Sequence, residues 1–110
     1  MILVIGNLRT WEREGRPVPR IEGFRFTSFA QLEAALSESP APDVVLSALM
    51  GESFDALDVA RVLNRCGFAG RYRALTNALP NLDAIRQEVH EIAPFLDFDL
   101  YIIRRAASAG

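Results

Sequence analysis

The chain has 110 residues, half of them hydrophobic, enough to bury one proper core and too few for two domains of ordinary size. A formal charge of −2 gives no broad electrostatic reason to seek nucleic acid or an anionic membrane. All 12 basic residues are arginine and Cys66 is the only cysteine, which excludes Schiff-base chemistry, a lysine-bearing phosphate loop, an intramolecular disulfide and a cysteine-rich zinc site.

The first element, Ile2-Leu-Val-Ile5, is a continuous apolar run closed by Gly6, as expected of a strand buried on both faces of a parallel sheet. Residues 8–22 hold Gly15, Pro17 and Pro19 among Trp11 and four arginines, so the chain allows at most a short helix there before an extended return. A short strand placed towards an edge is predicted at Gly23–Ser28, where Phe24 and Phe26 alternate with polar residues. Ser28 and Gln31 match a capping box, and Phe29, Leu32, Ala35 and Leu36 recur at helical spacing until Pro40 and Pro42 interrupt them. The third strand is predicted at Asp43–Leu46. A second amphipathic helix follows, with Ser53 as its cap, Leu57, Ala60 and Leu63 on one face and Gly67 as its stop. Cys66 is expected to lie half-buried near the end of that helix, as a small hydrophobe in a reducing compartment.

Arg71–Thr76 reads as the fourth strand. Pro80 and Asn81 open a helix with the stripe Leu82, Ile85, Val89 and Ile92, which ends before Pro94. The last strand is predicted at Leu100–Ile103, and the residues after Arg105 are too few to complete a patterned helix. Strand and helix alternate throughout, so one α/β domain over residues 1–105 with a tail at 106–110 is expected, its parallel sheet covered by helices on both faces. No run approaches the roughly 18 to 20 apolar residues of a membrane span, and the opening residues lack the basic start of a signal peptide, so a cytoplasmic protein is expected.

The stretch Asp43-Val-Val-Leu-Ser-Ala-Leu-Met-Gly-Glu-Ser-Phe-Asp-Ala-Leu57, continuing to Leu75-Thr76, resembles the middle of a response-regulator receiver domain, which carries a strand ending in the phosphoacceptor aspartate, a short loop, a helix and a strand ending in threonine or serine. Ile2–Asn7 and Tyr101–Arg105 extend the resemblance more weakly. It implies a flavodoxin-like, receiver-like five-stranded sheet of order 2-1-3-4-5, with the first helix shortened or absent and the last truncated. It also puts Gly6 and Asn7 at the acidic pair, Ala48 at the phosphoacceptor, Thr76 at the switch hydroxyl and Arg104 at the lysine, with Arg105 replacing the proline. A methyl group cannot attack phosphorus, and Asn7 without neighbouring carboxylates lacks the charge that holds a divalent ion. Ser47 points to the other face of the strand and does not substitute for Ala48.

Several positions stay open. Thr76 is either a backbone-bonded strand-end hydroxyl or a surviving switch, Arg104 either a solvated edge cation or the holder of an anion or partner carboxylate, and Tyr101 either a packing residue or a moving one. Trp11 and its arginines are offset by Glu12, Glu14 and Glu22, giving a mixed-charge loop with Trp11 as a possible protein anchor. His90 lies off its helix's apolar stripe with no visible metal or nucleophile partner, and Asp55 and Asp58 read as acids suited to a helix start. The expectation is a non-enzymatic pseudo-receiver, with no cofactor or metal, serving as a protein-interaction or regulatory module. Tyr101, Arg104 and Trp11 are its candidate anchors, and Leu100, Ile102 or Ile103 its exposed apolar edge. The alternative is a small-molecule or nucleotide-binding domain using the crevice at the strands' carboxyl ends; the single Gly6 lacks the small residues that usually follow in a phosphate-binding turn.

Overall fold

Parallel strands need crossovers, and from the second strand to the fifth the described residues supply them with helices. The computed structural model describes residues 1–6, 24–38, 41–50, 54–76 and 81–102. Five strands, β1 Ile2–Ile5, β2 Phe24–Thr27, β3 Val44–Ala48, β4 Arg71–Thr76 and β5 Asp97–Ile102, form one all-parallel sheet in the order β2-β1-β3-β4-β5. Helix α1, Leu32–Leu36, lies between β2 and β3; α2, Ala56–Arg65, between β3 and β4; and α3, Leu82–Ile92, between β4 and β5. This is the parallel α/β arrangement expected from the alternation of elements, in the flavodoxin-like order that the receiver resemblance implies. The expectations about a first helix within residues 8–22 and a last helix beyond Arg105 lie outside the described residues.

The two faces of the sheet differ. Leu3, Ile5, Val45, Tyr72, Ala74 and Leu100 share a buried cluster with Leu32 and Ala35 of α1 and Val59, Val62 and Leu63 of α2, and Leu82 and Ile85 of α3 pack against it. Complete burial of a side chain such as Leu3, Leu32 or Leu63 contributes about 1.5–3 kcal/mol each. The opposite face carries Val4 and Leu75, packed with Ile2, Phe26 and Leu46. Among the described residues all three helices therefore line one face, where helices on both had been expected.

Local chemistry explains most boundaries. Ser28 Oγ accepts from Gln31 N–H at 3.2 Å, starting a single 3₁₀ turn, Phe29–Gln31, that leads into the short α1. Asp55, not Ser53, caps α2: its carboxylate accepts from Asp58 N–H at 2.9 Å and its own N–H donates to Asp58 at 3.0 Å, a reciprocal box that outcompetes a cap two residues earlier. Ser53 itself lies outside the described residues. α2 ends in a Schellman motif, with Phe68 N–H donating to Leu63 at 2.9 Å, Gly67 N–H donating to Asn64 at 3.1 Å and Gly67 at φ 71°. Cys66 takes the cap position and is exposed, contrary to the half-buried expectation, with its Sγ directed to Glu33 Oε1 at 3.9 Å and not into the core cluster. Asn81 accepts from Ala84 N–H at 3.1 Å to open α3.

β5 begins at Asp97, three residues before the predicted start, and forms one edge of the sheet. Acids are poor strand formers, but here each has a partner from another element. Asp99 Oδ1 accepts from Arg86 Nε at 3.1 Å, from Arg86 Nη2 at 2.8 Å and from Leu100 N–H at 2.8 Å. Arg73 reaches the Asp97 carboxylate at 3.2 Å and its carbonyl at 2.8 Å. These ion pairs also occupy an edge that would otherwise offer its backbone to another strand.

The Arg86 guanidinium, then the Leu100 amide, hold the Asp99 carboxyl below its ordinary value. A depressed folded-state value stabilises the protein above the unfolded value near 3.9 and is lost as pH falls below it. Both side chains are 43% exposed, so this contribution stays under about 1 kcal/mol. Asp99→Asn should flatten the acid limb of a stability-against-pH curve below about pH 4 while leaving most stability at neutral pH. Unchanged acid sensitivity in urea titrations would remove Asp99 from the account.

Candidate functional site

In parallel α/β sheets ligands meet the carboxyl ends of the strands, so the positions singled out from the sequence belong at one end. The register aligns Ala48 with Leu75 and Thr76 with Ile102, so Ala48 and Thr76 close β3 and β4 at that end, beside Gly6 at the end of β1. Gly6 turns the chain out of β1 at φ 133°, its N–H donating to Thr27 at 2.7 Å. Asn7, Arg104 and Trp11 lie outside the described residues. Three of the five pocket positions are thus brought to the carboxyl ends of neighbouring strands.

Their side chains do not form one reactive set. Ala48 is buried at 3% exposure and falls with Leu46 in the alternation that faces away from the helices, whereas Thr76, also buried, falls with Tyr72 and Ala74 on the helix face. Ser47 points to the helix face, as its parity predicts. Its Oγ lies 2.5 Å from the Tyr72 hydroxyl and donates to the Ala48 carbonyl at 2.9 Å, which leaves the Tyr72 hydroxyl as the donor of the first contact. Burial pushes the Tyr72 phenol well above its ordinary value, and the Asp55 charge adds to that, while the bond to Ser47 opposes it. The hydroxyl is a neutral structural donor at every ordinary pH. The Tyr72 ring packs against Phe98 with centroids 5.2 Å apart. This buried pair was not legible in the sequence: Ser47 and Tyr72 are 25 residues apart and meet only because β3 and β4 are neighbours.

Tyr101 is half-exposed on β5. Although burial opposes its charge, Arg73 is held more firmly protonated by the Tyr101 hydroxyl and by Asp97. Tyr101 is therefore tied to its neighbouring strand and still available at the surface. The expected apolar edge is only partly present: Leu100 is buried at 5% because its side chain joins the helix-face core, Ile102 is 36% exposed, and Ile103 lies outside the described residues. His90 is exposed, as expected.

The link from β3 into α2 carries a feature that sequence reasoning passed over. Met50 and Asp55 pair in an isolated antiparallel bridge, and Ala56 N–H donates to the Leu49 carbonyl at 2.9 Å. Phe29 and Phe54 stack with centroids 5.4 Å apart beside it. Met50 is held out at 68% exposure, over a shallow cleft of about 160 Å³ between α2 and α3 that Leu57 and Ile85 also line. The one available signal was the spacing of Leu57 and Ile85 on two amphipathic helices, which cannot say that the helices meet.

Among the described residues no group of three or more His, Cys, Asp or Glu side chains converges as a metal site, and no helix is long and apolar enough to cross a membrane. The fold and these positions define a five-stranded parallel α/β protein of flavodoxin-like order with an aliphatic residue closing its central strand. Comparison with protein-family models, curated proteins and solved structures finds no match.

Proposed function

We propose that the chain is a non-phosphorylatable pseudo-receiver, a cytoplasmic, non-enzymatic module that acts by binding another protein. The observation that carries this reading is the buried methyl of Ala48 at the carboxyl end of β3, with the adjacent Ser47 hydroxyl turned to the opposite face and engaged by Tyr72. The strand order and the connection from β3 into α2 match what the receiver resemblance implies, while the nucleophile that receiver chemistry needs is absent from that position. Exposed Met50, Tyr101 and Ile102 around the carboxyl-end loops and strands add apolar contact surface.

Incubation with acetyl phosphate and magnesium, followed by intact-mass measurement, is expected to give no phosphoryl adduct. Ala48→Asp alone is expected to give none either, because Gly6 and Asn7 stand where the metal-holding acids would be. A stoichiometric gain of one phosphoryl group on residues 47–53 of the unmodified chain would overturn the reading.

A further inference from the structure

We infer that the cleft between α2 and α3 receives a basic segment of a partner protein, which inserts one apolar side chain beside Met50, Leu57 and Ile85 and sets an arginine or lysine against Glu88 and Asp55; this rests on the protein-binding reading and names the chemistry of the partner. The cleft is apolar at its walls, and its volume of about 160 Å³ matches the space that takes one ring or branched aliphatic group. Met50, 68% exposed at its mouth, has a flexible, polarizable side chain that can close over an incoming group without strain.

Charge selects the occupant. Both charged residues that line the cleft, Asp55 and Glu88, are acidic. Glu88 is exposed and has no hydrogen-bond or ion-pair partner among the described residues. Asp55 Oδ1 accepts from Asp58 N–H, and among the described residues no hydrogen bond to its Oδ2 is present. An apolar slot whose margin carries two carboxylates and, among its described lining residues, no cation favours a cation beside the inserted side chain and repels an acidic segment. α2 is capped at both ends, and Met50 and Asp55 form an isolated bridge at the mouth.

The test is methyl NMR on the full chain, titrated at low salt with a capped Gly-Arg-Leu-Arg-Gly peptide, with versions carrying alanine for leucine or glutamate for both arginines as controls. The expected result is saturable shifts at Met50, Leu57 and Ile85 with about millimolar affinity, at least about tenfold weaker binding to both control peptides and to Glu88→Arg protein, and further weakening as salt is raised. Glu88 is exposed, so its reversal leaves the fold intact, as circular dichroism would verify. Shifts confined to other residues, equal binding of the glutamate peptide, or no shifts at several millimolar peptide would overturn the inference. Shifts at the same methyls on concentrating the protein alone would assign the cleft to a second copy of the chain instead. The phosphodonor experiment reports on Ala48 independently, so a failure of the pseudo-receiver reading is distinguishable from a failure at the cleft.

Discussion

Gly70→Ala should destabilise the protein by about 1–3 kcal/mol, near the upper end of that range. A Cβ at this position would press into the Asp43 carbonyl and lie 2.6 Å from Cζ of Phe68. Neither neighbour can retreat at little cost. The Asp43 carbonyl accepts the Arg71 N–H at 3.0 Å at the start of β4, and Phe68 packs against the helix-face core immediately after the α2 stop. Gly67→Ala provides the comparison: it meets nothing within 4 Å but has φ 71°, so its cost is conformational alone, about 1 kcal/mol. Urea unfolding of both variants should rank Gly70→Ala clearly below Gly67→Ala. A Gly70→Ala protein within about 0.5 kcal/mol of the parent would show that the β3–β4 entrance relaxes freely, contrary to the packing described.

The second large effect belongs to the pair buried behind Ala48. Ser47→Ala should cost about 1–3 kcal/mol, because it strands the Tyr72 hydroxyl without a partner in a fully buried site. Tyr72→Phe should cost less, about 0.5–1.5 kcal/mol, since Ser47 keeps its bond to the Ala48 carbonyl. Adding Tyr72→Phe to Ser47→Ala should recover part of the loss, the opposite of additivity. The pH dependence follows with its sign. Burial raises the folded-state value of Tyr72 above the unfolded value near 10, so its contribution is whole below that pH and drains away as pH rises beyond it, when only the unfolded chain ionises freely. Phenolate absorbance from Tyr72 should therefore appear together with the loss of ellipticity, and that coincident step should be missing in Tyr72→Phe. A phenolate signal that precedes unfolding and is abolished by Tyr72→Phe would contradict the buried donor.

The sequence by itself determined the elements whose signals are local. The apolar run Ile2–Ile5, the strand Arg71–Thr76, the stripe of Leu82, Ile85, Val89 and Ile92, and the Gly67 stop each depend on side chains within a few residues, and all are present in the structure. Their alternation also made a parallel sheet the expected arrangement, and its order 2-1-3-4-5 is the one that the receiver resemblance implied. Parity along β3 separated Ser47 from Ala48 before any packing was known.

Only the tertiary structure decided what depends on neighbours far along the chain. β5 starts at Asp97 because Arg73 from β4 and Arg86 from α3 supply partners that no local propensity contains. Leu100 is core, and not exposed edge, because the residue paired with it, Ala74, brings it onto the face that the helices cover. Asp55 takes the cap of α2 because Asp58 answers it and its own backbone is extended where it bridges Met50. The Ser47–Tyr72 bond and the cleft beneath Met50 need β3 beside β4 and α2 beside α3. Pairing free energies of this kind are set by distance and burial in the folded state, quantities that spacing along a chain does not encode.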